Sequence, residues 1–328
     1  MKLANSDSSA TTGGARTPAP STIGAMHSGT SARELRLVLS GLMLALTLAA
    51  LDQNIVATAL PRITGEFGSL QHLSWVVTSF IVASTVSAPL YGKLSDLYGR
   101  KPAFIASISI FLAGSALCGF AASMGELIVF RTVQGLGAGG LIVLAQTVIG
   151  DLVSPRERGR YQGMFAAVFA ACSVAGPLLG GFITEYASWR WIFYVNLPVG
   201  AVALGFIAIG LRPKSLQVAP RLDLMGAILL TTSSCTLLLA LSWGGSAYAW
   251  SSPPVLGLGL AAIGSFVLLA FVERRAAQPI LPPELFGNSV FVLGAAVIAL
   301  ATMALFAAVV FLRLMFSCSW MQVPRKPA

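Results

Sequence analysis

The chain has 328 residues, of which 56% are hydrophobic and only 10% are charged, with a net charge of +9. A soluble domain carries about 25% charged residues, so this much apolar surface cannot be hidden in one water-soluble core. The basic excess is scattered over separate short segments rather than gathered on one face, which argues against nucleic acid as a partner and for topology in a membrane with contact to anionic lipid.

Residues 1–32 contain 23 Ser, Thr, Gly, Ala or Pro. Such a segment buries too little apolar surface to order itself, and it lacks the apolar core of a cleaved signal peptide. Residues 1–34 are therefore expected to be a disordered tail. Long runs free of Asp, Glu, Lys and Arg follow, at 103–125, 132–150, 161–184, 191–211 and 285–312. The stretch 224–272 is also free of them and is broken only by WGGSAYAWSSPP. About 20 apolar residues cross a bilayer as a helix, and continuous runs are not the alternating ten-residue segments of a barrel. Nine spans are expected, near 37–60, 75–92, 103–122, 126–150, 161–183, 192–211, 223–243, 254–272 and 289–312. With the tail inside, fifteen Lys or Arg fall on that side, and the opposite loops hold only Arg62 and Arg190; Arg313, Arg325 and Lys326 after span 9 fall on the outer side, against the rule. The positive-inside rule then places the N-terminus in the cytoplasm, and the chain is expected to be a multi-pass protein of the plasma (inner) membrane.

Along the chain, Asp52 comes first, inside span 1, and Arg131 lies near the start of span 4. A charge at mid-membrane costs about 2.5–3.5 kcal/mol on insertion scales, so such residues face a cavity or a partner. Burial disfavours a charged carboxylate, which makes Asp52 the leading proton-binding candidate and Arg131 its respondent. The alternative is that both sit at the outer interface and snorkel there. GKLSDLYGRKP, residues 92–102, concentrates Lys93, Asp96, Arg100 and Lys101 between spans 2 and 3. Gly92 and Gly99 permit tight turning and close approach, and Asp96 can pair with Arg100 or meet a helix N-terminus. In span 5, Pro177 withdraws a donor from the carbonyl of Ser173 and kinks the helix. Gly176 and Gly180 leave one face bare for a close partner.

These stretches resemble the major facilitator superfamily. GKLSDLYGRKP resembles its signature between the second and third helices, through Gly92, Asp96, Gly99, Arg100 and Lys101; a basic residue often follows the Asp, and here it is Leu97. LDQNIVATALP (51–61) and WRWIFYVNLPVG (189–200) resemble motifs of the branch of fourteen-span drug:proton antiporters, RTVQGLGAGG (131–140) resembles the family's fourth-helix motif, and AGPLLGGF (175–182) resembles its fifth-helix motif linked to antiport. The resemblance covers about residues 35–312. It implies a cytoplasmic gate at the 92–101 motif and a switching helix at Gly176, Pro177, Gly180 and Gly181, with Cys172 where the family has an earlier glycine. It also implies that this helix packs against an opposite half.

The expected fold is therefore all-α and polytopic. A six-helix bundle (35–212) is followed by two linker helices (213–277). A connector and the first helix of an incomplete second bundle come next (278–312), then a divergent tail (313–328). Two functions compete. One is proton-coupled efflux of hydrophobic small molecules, and the other is a truncated, non-transporting fragment or half-module needing a partner chain for its second bundle. The tail is expected to reflect a premature end, with a genuine short variant as the alternative. No ATP-binding or catalytic pattern is present, so no enzyme and no cofactor is expected, and the energy would come from a proton gradient. Cys118, Cys172, Cys235 and Cys318 are irregularly spaced, and His27 and His72 lack partners at ligand spacing, so neither disulfide nor metal is expected.

Overall fold

The computed structural model describes residues 32–68, 72–213, 223–245, 247–275, 280 and 284–321. The expected tail lies outside these residues up to 31, as do residues 214–222 and 322–328. Eleven helices are described: α1 (Ala32–Phe67), α2 (Leu73–Tyr98), α3 (Arg100–Phe120), α4 (Met124–Leu152), α5 (Pro155–Tyr186), α6 (Trp191–Tyr194), α7 (Asn196–Gly210), α8 (Leu224–Trp243), α9 (Pro253–Glu273), α10 (Glu284–Gly287) and α11 (Ser289–Met321). Among the described residues there is no strand beyond one isolated bridge, Gly244 to Tyr248. Eight helical segments are long and apolar enough to cross a membrane, and they match the first eight expected spans. The chain is an all-α polytopic membrane protein.

The helices overrun the expected spans, because charge marks the edge of lipid and not the end of a helix. At 1.5 Å per residue, the 36 residues of α1 reach about 54 Å, well past a hydrocarbon core of about 30 Å. It starts at Ala32, inside the segment expected to be a tail. α5 begins at Pro155 behind Ser154, with Glu157 in its first turn. That is a Ser N-cap with Pro at the first helical position, so Arg156, Arg158 and Arg160 lie on the helix and not in a loop. α11 continues to Met321, nine residues past the expected end of span 9; its described side chains from 289 to 304 are all exposed.

Span 6 is divided at Val195 into α6 and α7. Pro198 has no N–H to offer the Tyr194 carbonyl, so the ladder breaks there and Asn196 opens a fresh helix. Pro177, by contrast, is accommodated within a continuous α5.

α4 lies between α2 and α3, while α1 packs on α5 and α7. Small residues set these distances. A Cβ at Gly135 would stand 2.5 Å from the Phe80 carbonyl oxygen of α2, and one at Gly140 would stand 2.5 Å from Ser107 Oγ of α3. Ser107 Oγ donates to the Gly137 carbonyl at 2.9 Å. GLGAGG is thus a two-sided packing surface, which lipid-embedded helices need because hydrophobicity does not drive them together. α8 and α9 form a pair, with α8 against α2 through an edge-to-face contact of Trp75 and Trp243 at 5.8 Å. Between them, Gly245 N donates to the Tyr248 carbonyl at 2.8 Å. Gly245 has φ +76, a conformation that favours glycine, and the Trp250 ring covers Gly244.

Candidate functional site

Asp52 and Arg131 meet in the middle of the first bundle, both buried. Arg131 Nη1 donates to Asp52 Oδ2 at 2.6 Å. Asp52 Oδ1 accepts from Gln134 Nε2 at 2.8 Å and from Asn196 Nδ2 at 2.9 Å. The arginine is anchored further: Nη1 donates to Gln134 Oε1 at 2.9 Å, Nε donates to the Val76 carbonyl at 3.3 Å, and its guanidinium carbon lies 4.0 Å from the Phe80 ring centre. Asn196 Nδ2 also reaches Ser115 Oγ at 3.0 Å, and that hydroxyl donates to the Phe193 carbonyl at 2.9 Å. Six helices supply these groups: α1, α2, α3, α4, α6 and α7. The interface alternative for Asp52 and Arg131 is therefore set aside, since neither side chain reaches the surface.

Local sequence explains the convergence. Arg131 and Gln134 are three apart on α4, so they share a face. Gly114 of α3 lets that face come close, because a Cβ there would be 2.5 Å from the Gln134 backbone. The break at Val195 delivers Asn196 from α7. Gln134, Asn196 and Ser115 were not foreseen as site residues. The signal existed: each is a hydrogen-bonding side chain in a charge-free apolar run, where an unpaired polar group is expensive.

The 92–101 motif forms a second cluster, at the other end of α2 from Val76 and Phe80. Gly99, with φ +94 and ψ +155, is the whole turn between α2 and α3. Gly92 lies inside α2 with room beside it, so it does not shape the turn. Arg100 pairs with Asp96 at 2.6 Å and with Asp151 at 2.9 Å, and it also touches Ser95 Oγ. One guanidinium thus joins α2, α3 and the end of α4. Lys101 is half-buried beside it.

Gly176 and Gly180 are buried against α1. A Cβ at Gly176 would stand 2.5 Å from Asn54 Cβ, and one at Gly180 would stand 2.8 Å from the Ile55 carbonyl oxygen and collide with Thr58 Oγ1. Their bare face serves a contact with α1 within the bundle. Pro177 is half-buried, Gly181 has open space, and Val174, Leu178 and Phe182 point outward at 65%, 70% and 62% exposure. Among the described residues no group of acids, histidines and cysteines could hold a metal.

Comparison with known proteins agrees with this architecture. The family model described as Major Facilitator Superfamily matches residues 42–324, extending past Leu312, where the expected resemblance ended. Multidrug transporter protein MdtP of Bacillus subtilis (strain 168) is 43% identical over 255 residues, covering 78% of this chain and 47% of that protein. Multidrug resistance protein 3 of the same organism is 43% identical over 256 residues, covering 78% and 50%. MFS-type efflux pump LUC4 of a Fusarium species is 40% identical over 267 residues, covering 77% and 46%. The chain spans about half the length of these curated relatives. Among solved structures, the human organic anion transporter MFSD10 aligns with a TM-score of 0.51 at 20% identity, covering 68% of this chain and 59% of that one, a likeness of fold alone.

Proposed function

This chain belongs to the Major Facilitator Superfamily, and we propose that it works in proton-coupled efflux of hydrophobic small molecules across the plasma (inner) membrane. In this reading the N-terminus is cytoplasmic. The observation that carries it is the buried Asp52–Arg131 pair, a charge pair placed where lipid makes it expensive and where packing alone would not require it. Protonating Asp52 would discharge the carboxylate that Arg131, Gln134 and Asn196 all address, so proton uptake and loosening of the six helices joined by the network would be one event. Arg100, with Asp96 and Asp151, would latch the gate end in the same cycle. The multidrug names of the relatives support the substrate class. The test is dye export from energised cells expressing the chain. Export that stops on collapse of the proton gradient, and in Asp52→Asn at equal protein level, is expected. Normal export by Asp52→Asn would remove that residue from the mechanism.

A second reading is a half-module that needs a partner chain. The outward apolar face of α5 and the exposure of α11 favour it. Wild-type protein that reaches the membrane but exports dye only when a second bundle is co-expressed would select this reading.

A further inference from the structure

The end of the bundle where α1 begins and α7 ends carries a cleft of about 400 Å³, lined by Arg33, Arg36, Leu37, Ser40 and Phe206. Its base is set by a close crossing. A Cβ at Gly41 would lie 3.0 Å from Ile207 Cδ1, and one at Gly210 would lie 2.9 Å from Val38 Cγ2. Two glycines, one on each helix, therefore hold the walls in place. Glu34, in the same first turns of α1, is engaged by Arg212, whose Nη2 reaches both carboxylate oxygens at 2.8 and 2.9 Å. Arg33 and Arg36 have no carboxylate partner among the described residues. Their two guanidiniums are exposed and stand one turn apart at the mouth, with the Ser40 hydroxyl one turn deeper.

We propose that this cleft binds the phosphodiester headgroup of an anionic phospholipid. Guanidinium forks match phosphate oxygens in geometry and charge, and basic pockets between membrane helices at the headgroup level are suited to such lipids. The apolar walls select a lipid over a free phosphate. Phe206 lines the cleft, and Val202, four residues further into the membrane on the same face of α7, is 49% exposed. The stripe from Phe206 to Val202 is the path for an acyl chain descending from a headgroup held by Arg33 and Arg36. Neither residue belongs to the Asp52 network or the Arg100 cluster, so this site stands whether or not the chain transports.

The test uses the full chain in phosphatidylcholine nanodiscs containing a trace of photoactivatable phosphatidylglycerol. Cross-links are expected on peptides containing Arg33–Ser40 and Phe206. Unlabelled phosphatidylglycerol should compete them away, and phosphatidylcholine should not. Labelling should fall at least about tenfold in Arg33→Gln/Arg36→Gln, given the attraction of each basic side chain to an anionic surface. It should be largely kept in Arg33→Lys/Arg36→Lys. The charge-matched control, Arg156→Gln/Arg160→Gln, should label as wild type. Equal loss in that control would reduce the effect to general surface charge and overturn the proposal. Full competition by soluble glycerol phosphate, or undiminished labelling of the double Gln variant, would overturn it as well.

Discussion

Removing one charge from the Asp52–Arg131 pair should cost more than removing both. In Asp52→Asn, the arginine keeps Gln134 Oε1, the Val76 carbonyl and the Phe80 ring, but its charge is left without a counter-charge in a site it cannot leave. Breaking a buried pair costs about 3–5 kcal/mol. The retained cation–π contact, worth about 2 kcal/mol when desolvated, places this variant at the lower end, near 3 kcal/mol. Arg131→Met leaves Asp52 with the amides of Gln134 and Asn196, again a loss of about 3 kcal/mol. The double variant contains no stranded charge, and it should lose no more than about 2 kcal/mol. Additive behaviour would give about 6, so the expected coupling is roughly 4 kcal/mol, well above the few tenths expected of independent sites. Unfolding of purified protein in detergent by SDS titration, followed by tryptophan fluorescence, measures all four corners of the cycle. Single losses that simply sum, within about 0.5 kcal/mol, would refute the view that the pair is a closed electrostatic unit. The double variant should recover stability without recovering dye export.

Other substitutions test neighbouring contacts. Asn196→Leu removes donors to Asp52 and Ser115, and should lower stability by about 1.5–3 kcal/mol in the same titration, the range for bonds to a charged group. Gly180→Ala presses on the Ile55 carbonyl and Thr58 and should cost about 1–3 kcal/mol, whereas Gly181→Ala, facing open space, should stay within about 0.5 kcal/mol of wild type. Arg100→Gln breaks partly exposed pairs, so its stability loss should be below about 1 kcal/mol and smaller still in high salt; a loss that ignored salt would contradict that account.

Much of this was legible in composition and run length, because lipid imposes a strict requirement of one apolar helix per crossing. Asp52 and Arg131 stood out for the same reason. What hydropathy missed were contacts made by neutral groups. Asn196 carries no charge to mark it within span 6, and only the break before Pro198 shows why it points inward. Gly176 and Gly180 announced a close partner but not which one, since a bare helix face fits α1 of its own bundle as well as a distant half. The N-terminus of α5 was hidden because its Ser154–Pro155 cap lies within a basic segment that reads as a loop.

The separations within the Asp52 network set a schedule for its assembly. Arg131 follows Asp52 by 79 residues, and Asn196 follows by 144. At about 5–20 residues per second, the carboxylate waits roughly 4–16 s for its guanidinium, and about 7–29 s for the last amide. During that interval α1 must be held where Asp52 can still meet water or a protein surface, or bear the insertion cost of a lone charge, about 2.5–3.5 kcal/mol, against the gain from its many leucines. The first helix of this chain is thus the first made and among the last to be settled, and a ribosome paused between residues 52 and 131 would leave it in its most vulnerable form.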